Sequence, residues 1–431
     1  MRVLFAPWGD PRRWGEVNYL YDGREEFSNT SLTLLQRAVS PDKLVIFGLD
    51  TLAEGGVSYD EVASNAEHKL REHAEKYGLR GFEVVISPGV GRFSNGVFIG
   101  SMLDYYYYIQ ERIVRFLLGN YDGELEVHLD LTHGINFMPV LTYRAVKEVF
   151  EVAAMFNTVK FTAYNADPYV PNISDRLSIN VVEEGFISPR PFRSIPADRK
   201  LLRARDLDSG EREKLSRRME GFLRDLHEKE ISAFIGGIYN GLPLALYAFH
   251  PDTDKLEESI RQTLEAYKEY ASVRWDNGIK VIRRVEFTES FRGYLFSYLM
   301  ARLLEKNDIV NERRNEVCLD DIEYVNERLF SYDTRLKTRI GSELHNLKDR
   351  ERELGGEWKL YKEILGERIG EPDSRNFLAH AGFERNLIEL RKDPHRGILL
   401  RYREDKIRTV KRFCREGLNI VLGRDRPCQI L

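Results

Sequence analysis

Between residues 1 and 185, short runs of apolar, β-branched residues alternate with longer amphipathic stretches, and this alternation restricts the fold more than any other feature of the chain. The runs at 2–6, 43–48, 82–87, 124–131, 159–164 and 177–182 have strand length. The stretches at 30–39, 59–77, 99–118 and 137–156 repeat apolar residues at helical spacing. Strand, helix and strand in succession form βα units, which assemble into a mostly parallel sheet covered by helices on both faces. The fold class is therefore α/β. The consecutive tyrosines Tyr105, Tyr106, Tyr107 and Tyr108 cover every face of one helical turn, which predicts core contact on one side and an interface on the other.

In such a sheet, ligands bind beyond the carboxyl ends of the strands. The segments there are Pro7-Trp8-Gly9-Asp10 after the first strand, Pro88-Gly89-Val90-Gly91-Arg92-Phe93-Ser94-Asn95-Gly96 after the third, and Thr132-His133-Gly134-Ile135-Asn136 after the fourth. Glycines with Ser, Thr and Asn near helix starts offer N–H groups and hydroxyls to phosphates. The dinucleotide fingerprint is absent, because Gly89-x-Gly91-x-x-Ser94 lacks the third glycine and follows the wrong strand. No G-K-S/T phosphate loop occurs. The pattern points to a nucleotide ligand and away from nicotinamide enzymes and NTPases. His128, Asp130 and His133 fall short of a defined metal set. Asp130 reads instead as the acceptor that organises its turn, leaving His133 and Asn136 facing the crevice, and no metal is expected.

The Pro-rich segment 188–196 can continue neither a helix nor a central strand, and it marks a boundary. Beyond it, helical patterns run over 208–229, 254–272, 287–306, 319–347, 360–369 and 374–391, as in Phe291, Leu295, Tyr298, Leu299 and Leu303. The expected domains are a ligand-binding domain at 1–185, a linker and helical connector at 186–306, and an all-helical domain at 307–431. Cys318, Cys414 and Cys428 imply no disulfide framework. The first residues read as a strand rather than a signal peptide, and no apolar run approaches a membrane span, so a cytoplasmic protein with no membrane contact is expected. A net charge of −4 argues against a wholly basic nucleic-acid binder. Residues 384–426, with thirteen Lys or Arg against seven Asp or Glu, form a local basic excess.

Near the C-terminal end lies Asp373-Ser374-Arg375-Asn376-Phe377-Leu378-Ala379-His380-Ala381-Gly382. Pro372, followed by Asp373 or Ser374 as a capping oxygen, starts a helix with Arg375 in its first turn. Five residues correspond to roughly 140° around the axis, so one helix cannot easily aim Arg375 and His380 at one atom. Two copies related by a two-fold axis can line one cleft with both pairs. The alternative is a capped helix with a solvated Arg and a satisfied His.

An α/β domain carrying Asp130-Leu131-Thr132-His133-Gly134-Ile135-Asn136 after its fourth strand, followed by a helical domain with R-x-x-x-x-H late in the chain, resembles the CRISPR-associated CARF-plus-HEPN ribonucleases of type III systems. The resemblance covers almost the whole chain. It implies a Rossmann-like CARF domain that binds a cyclic oligoadenylate and a HEPN domain that cleaves single-stranded RNA in antiviral defence. The implied ligand-binding residues are Thr132, His133, Gly134 and Asn136. Trp8, Gly9 and Asp10 join them by position, and Gly91, Ser94 and Asn95 from the third loop. The implied catalytic residues are Arg375, Asn376 and His380. RNA carries its own nucleophile in the 2′-OH, so His380 as acid and base and Arg375 at the phosphoryl oxygens suffice without metal or cofactor. Expected partners are single-stranded RNA, the cyclic oligoadenylate as allosteric activator, a second copy of the chain in an even homo-oligomer, and a functional link to a type III CRISPR complex. Two rival readings remain: a non-catalytic regulator whose helical half binds nucleic acid or a partner protein, and a structural Arg375 paired with Glu371 or Asp373.

Overall fold

The computed structural model describes residues 1–121, 123–196, 198–275 and 277–420. The chain forms two compact units. The first comprises Met1–Ser188, Leu202–Arg212 and Thr263–Phe287, and the second Pro189–Leu201, Glu213–Gln262 and the chain from Thr288 onward. Residues 186–306 are thus shared between the two units.

The first unit begins with β1 (Arg2–Pro7), β2 (Val17–Tyr21), β3 (Arg24–Ser28), α1 (Ser31–Val39), β4 (Lys43–Leu49), α2 (Tyr59–Lys76) and β5 (Phe82–Ser87). It continues with β6 (Gly91–Phe93), β7 (Gly96–Ile99), α3 (Met102–Asn120), β8 (Leu125–Asp130), α4 (Met138–Ala153), β9 (Val159–Ala166) and β10 (Arg176–Phe186). Every strand-length run and every amphipathic stretch of the N-terminal sequence has its counterpart. The eight-stranded sheet has the order β3-β2-β10-β9-β8-β1-β4-β5. The strands β9, β8, β1, β4 and β5 run parallel, and β10 is antiparallel to β9. Val3, Leu4, Phe5 and Ala6 of β1 are fully buried, as expected of a strand covered on both faces. Helix α2 is capped by Ser58 and buries Val62, Ala66, Leu70 and Ala74, a stripe at four-residue spacing. The hairpin β2–β3 is closed by Asp22 and Gly23, both left-handed with φ of 49° and 70°, the geometry of a two-residue turn that matches strand twist. Of the tyrosine run, Tyr105, Tyr106 and Tyr107 are buried, and Tyr105 Oη lies 2.7 Å from Thr142 Oγ1.

The chain continues through β11 (Ser194–Ile195), β12 (Leu202–Ala204), α5 (Ser209–Phe222), α6 (Glu228–Tyr239), α7 (Pro243–Ala248) and α8 (Thr253–Glu269), then β13 (Ala271–Trp275), β14 (Ile279–Arg283), β15 (Val285–Phe287) and α9 (Glu289–Lys306). β14 pairs with β7 in parallel, giving a four-stranded sheet β13-β14-β7-β6 in the first unit. A buried polar cluster fastens this addition. Arg283, fully buried, pairs with the equally buried Asp50, and its Nη1 donates to Gly89 O at 2.7 Å. Asp50 also accepts the Gly89 N–H at 2.9 Å and the Tyr59 hydroxyl at 3.0 Å. Nearby, Asp104 accepts the Phe287 N–H and the Tyr267 hydroxyl, both at 3.0 Å. Burial pushes the Asp104 pKa up to about 7, against the opposing pull of these donors and of Arg283.

In the second unit α9 is buried on nearly all sides. Phe291, Leu295, Leu299 and Leu303 are joined in the interior by Tyr294, Phe296 and Met300, so the helix is central rather than amphipathic. There follow β16 (Val317–Cys318), α10 (Leu319–Arg328), α11 (Thr334–Lys348), β17 (Lys359–Leu360), α12 (Tyr361–Ile364), α13 (Ser374–Ala379), β18 (Ile388–Asp393), β19 (Gly397–Tyr402), α14 (Ile407–Cys414) and β20 (Asn419–Ile420), the last paired with β11. This region is helical, but it also carries a sheet of order β16-β19-β18-β17. The helix predicted over 319–347 is two helices, because Asp333 caps α11 by accepting the Arg335 and Leu336 N–H groups. The one predicted over 374–391 stops at Ala379, where the chain turns toward the β18–β19 hairpin. Cys428 and the last basic residues of the 384–426 stretch lie outside the described residues. Among the described residues, no helix is long and apolar enough to cross a membrane.

Candidate functional site

In the first unit, the loops beyond the carboxyl ends of β1, β4 and β8 and the β6–β7 turn enclose a crevice of about 290 Å³. Gly9, Asp10, Ser94 and Asn95, all anticipated from the sequence, line it, with Arg12, Arg13, Trp14, Thr51, Leu52, Phe93 and Ile135 beside them. Gly9 donates its N–H to His133 O at 2.9 Å, and a Cβ on it would lie 2.4 Å from Ile135 Cγ2, so only glycine permits the two loops to approach. Asp10 accepts from Arg12 Nε at 2.8 Å and lies 3.7 Å from Arg13. Burial works to raise the Asp10 pKa, but the Arg12 hydrogen bonds and charge outweigh it and hold the carboxyl below its usual range. The crevice thus carries guanidinium groups and an exposed polar turn beside the indole of Trp14.

The other anticipated residues are placed differently. Trp8 is a correction: its side chain is fully buried in the core and packs edge-on against Trp14 at 5.2 Å, so it is not available to a ligand. The side chain of a residue just after a strand alternates in direction, and at this position it points inward. Thr132 donates its hydroxyl to Asp130 at 2.6 Å and accepts the Ala166 N–H at 3.0 Å. Asp130 does organise the turn, accepting the Thr132 N–H at 3.0 Å and the Ser31 hydroxyl at 2.6 Å. His128 lies 2.8 Å from Tyr164 Oη instead of facing these residues. The His133 ring stacks on Trp14 at 3.9 Å and accepts the Ser31 N–H at Nε2, 3.2 Å away. Burial, with His73 nearby, pushes the His133 pKa down to about 3, so it is a neutral acceptor that orients Trp14. Gly134 packs closely against Pro139, Asn136 is exposed at φ 49°, and Gly91 is exposed in β6. The Asn95 amide donates to Thr51 O and Ala53 O at 2.8 and 2.6 Å, tying the β6–β7 turn to the loop after β4. Arg12, Arg13 and Trp14 directly follow the loop singled out in the sequence, and they were missed because an unread 3-10 turn at Pro11–Arg13 folds them back over it.

In the second unit, α13 is short and firmly placed. Asp373 caps it by accepting the Asn376 N–H at 2.9 Å. Phe377 is fully buried against Tyr402 and Phe413. Arg375, two residues earlier and so about 200° around the axis, is therefore turned outward, as is Asn376. The helix ends in a left-handed turn at Ala381 and Gly382, with φ of 51° and 87°, and the Gly382 N–H bonds to Phe377 O at 2.8 Å. A Cβ on Gly382 would stand 2.9 Å from Tyr402 Oη, so the position requires glycine on two counts. His380 sits at the helix C-cap, half-buried, with Nδ1 3.0 Å from Glu343 Oε1 on α11. Sequence reasoning missed Glu343, and nothing local marks it, since it lies 37 residues away.

Arg375 makes no ion pair among the described residues. Glu371, offered as its structural partner, pairs with Lys406 at 3.3 Å, and Asp373 is occupied as the cap. Much of the basic excess after residue 384 is neutralised locally: Arg385 pairs with Glu367, Arg391 with Glu316, Arg401 with Glu389, Arg403 with Asp405 and Lys411 with Glu230. The outward guanidinium on α13, without an ion pair among the described residues, is consequently more distinctive than the overall charge. A cation and an imidazole held on one rigid turn can stabilise a phosphoryl anion and move a proton.

Comparison with known proteins bears on both units. Residues 3–168 match the family model described as "CRISPR system endoribonuclease Csx1, CARF domain", and residues 333–404 match "CRISPR system endoribonuclease Csx1, HEPN domain". The CRISPR system endoribonuclease Csx1 of Methanocaldococcus jannaschii is 32% identical over 411 residues, covering 90% of this chain and 86% of the relative. The first match spans the strands and loops that build the crevice, and the second contains Glu343, Arg375, Asn376 and His380. The chain belongs to the Csx1 family of CRISPR system endoribonucleases.

Proposed function

We propose that this chain is a metal-independent endoribonuclease acting on single-stranded RNA, with Arg375, Asn376 and His380 as its catalytic residues and a cyclic oligoadenylate as its activator in type III defence. The observation that carries the reading is α13, which holds an outward Arg375 with no ion pair among the described residues and, at its end, a half-exposed His380 whose Nδ1 faces a carboxylate. His380 Nε2 takes the proton of the ribose 2′-OH, whose oxygen attacks the adjacent phosphorus. The 5′-oxygen of the next nucleotide leaves and receives a proton from a His380 imidazolium, giving a 2′,3′-cyclic phosphate and a 5′-hydroxyl. Arg375 presents its planar donors to the phosphoryl oxygens, where charge accumulates, and Asn376 orients the phosphate or ribose by hydrogen bonding. No metal step is needed, because the nucleophile belongs to the substrate.

The five-residue spacing of Arg375 and His380 favours a cleft built from two copies across a two-fold axis, each supplying one α13. A cyclic oligoadenylate with matching symmetry would bridge two copies of the crevice, with phosphates toward Arg12 and Arg13 and a base against Trp14. It shifts the cleft only as far as it prefers the active arrangement, so a 100-fold preference is worth about 2.7 kcal/mol. The test is calorimetric titration with cyclic tetra-adenylate, followed by cleavage of labelled RNA with and without it. Saturable binding that accelerates cleavage is the expected result, and no heat of binding for any ring size would contradict the activator.

A further inference from the structure

We infer that Glu343 is a positioning residue for His380, fixing the tautomer and orientation in which the imidazole works. The inference rests on the catalytic reading of His380 given above. Glu343 projects from α11 and His380 from the end of α13, and the two meet with Oε1 3.0 Å from Nδ1. The glutamate side chain is only 15% exposed and the histidine side chain 39%, so the carboxylate sits on the inner side of the ring while part of the ring faces out.

A carboxylate can only accept, so the ring proton it faces belongs on Nδ1. The lone pair is thereby placed on Nε2, the nitrogen available to take a proton from substrate. When that proton arrives, the imidazolium formed lies against a negative charge that was already in position, as in other carboxylate-histidine arrangements. A neutral partner would accept the same hydrogen bond without stabilising the imidazolium.

The surroundings suit this role. Arg339, one turn earlier on α11, lies near enough for its charge to act on Glu343, but its Nη2 donates to the backbone carbonyls of Asn240 and Gly241, and its buried Nε has no hydrogen-bond partner among the described residues. Tyr361 of α12 also lies near enough to register the Glu343 charge. Among the described residues the Glu343 hydrogen bond is to His380, while Arg339 Nη2 is engaged by the backbone and burial raises the Tyr361 pKa, leaving its hydroxyl uncharged at neutral pH.

The experiment measures single-turnover cleavage of labelled single-stranded RNA by the full chain, for the wild type, Glu343→Gln, Glu343→Asp, His380→Ala and the Glu343→Gln/His380→Ala pair, alongside RNA affinity and melting. Glu343→Gln should lower the cleavage rate about 100-fold, within the range a general acid-base group contributes, while RNA affinity stays within about twofold. The double variant should be no slower than His380→Ala. If Glu343→Gln melts early, Glu343→Asp carries the test: it retains the charge and should restore cleavage to within about tenfold of the wild type. The proposal is overturned if Glu343→Gln cleaves within about threefold of the wild type, or if it slows the His380→Ala background by the factor it slows the wild type. A His380→Ala variant as fast as the wild type would instead remove the catalytic reading beneath it.

Discussion

Replacing Asp104 with Asn should make the first unit less sensitive to pH, and the buried geometry gives both sign and size. The carboxyl is fully buried, accepts from Phe287 N–H and Tyr267 Oη, and has its pKa raised from 3.8 to about 7, chiefly by burial. A group that holds its proton more tightly when folded contributes stability that is complete below pH 3.8 and is lost as pH rises through about 7. At about 1.4 kcal/mol per pKa unit, most of the interval between pH 5 and 7 is effective, so the carboxyl costs the fold roughly 2–3 kcal/mol between pH 5 and pH 8. Asparagine keeps an acceptor for Phe287 and offers an N–H to the Tyr267 oxygen, but does not titrate. The assay is urea denaturation of both proteins at the two pH values, following tryptophan fluorescence. The stability of the wild type relative to Asp104→Asn should fall by that amount from pH 5 to pH 8, since other titrating groups cancel in the difference. Equal differences at both pH values would refute the raised pKa and the burial argument behind it.

Arg283→Met should cost about 3–5 kcal/mol, because it leaves Asp50 charged and buried without its cation, and Asp50→Asn in the same chain should recover part of the loss. Denaturation curves check this, and a loss below about 1 kcal/mol would contradict it. Gly382→Ala should destabilise the second unit by about 1–3 kcal/mol through its positive φ and the approach to Tyr402, and should lower RNA cleavage by shifting the end of α13. Unchanged melting and cleavage would show that the turn relaxes freely. Arg13→Ala should weaken binding of cyclic tetra-adenylate about tenfold or more by calorimetry, as expected for one charged hydrogen-bond partner, while sparing cleavage in the absence of ligand.

What could be read from the sequence follows from how local each signal is. The βα alternation specified the central sheet, because strand and helix periods are visible within a single element. The Asp22-Gly23 hairpin was not read, because it falls between runs too short and too charged to stand out. The pairing of β14 with β7 joins residues nearly two hundred positions apart, and no local period announces it. Trp8 was assigned to the crevice by position alone, although the direction of a side chain after a strand depends on register. The α13 cap, with Arg375 in the first turn, was legible from Pro372 and Asp373. The end of that helix was not, since the 384–391 stretch also fits the alternation of β18. Glu343 lies on another helix, and its role appears only when α11 and α13 are seen together.

The central claim is that α13 carries metal-independent chemistry on RNA. The most direct measurement is cleavage of end-labelled single-stranded RNA in excess chelator, with and without cyclic tetra-adenylate, for the wild type, His380→Ala and Arg375→Ala. Wild-type cleavage should survive chelation, rise with the ligand and leave 2′,3′-cyclic phosphate and 5′-hydroxyl ends. Each variant should lose about 2.7–4 kcal/mol of transition-state stabilisation, on the order of 10²–10³ in rate, with melting unchanged. Cleavage abolished by chelator and restored by a divalent cation, or either variant cutting at the wild-type rate, would contradict the account.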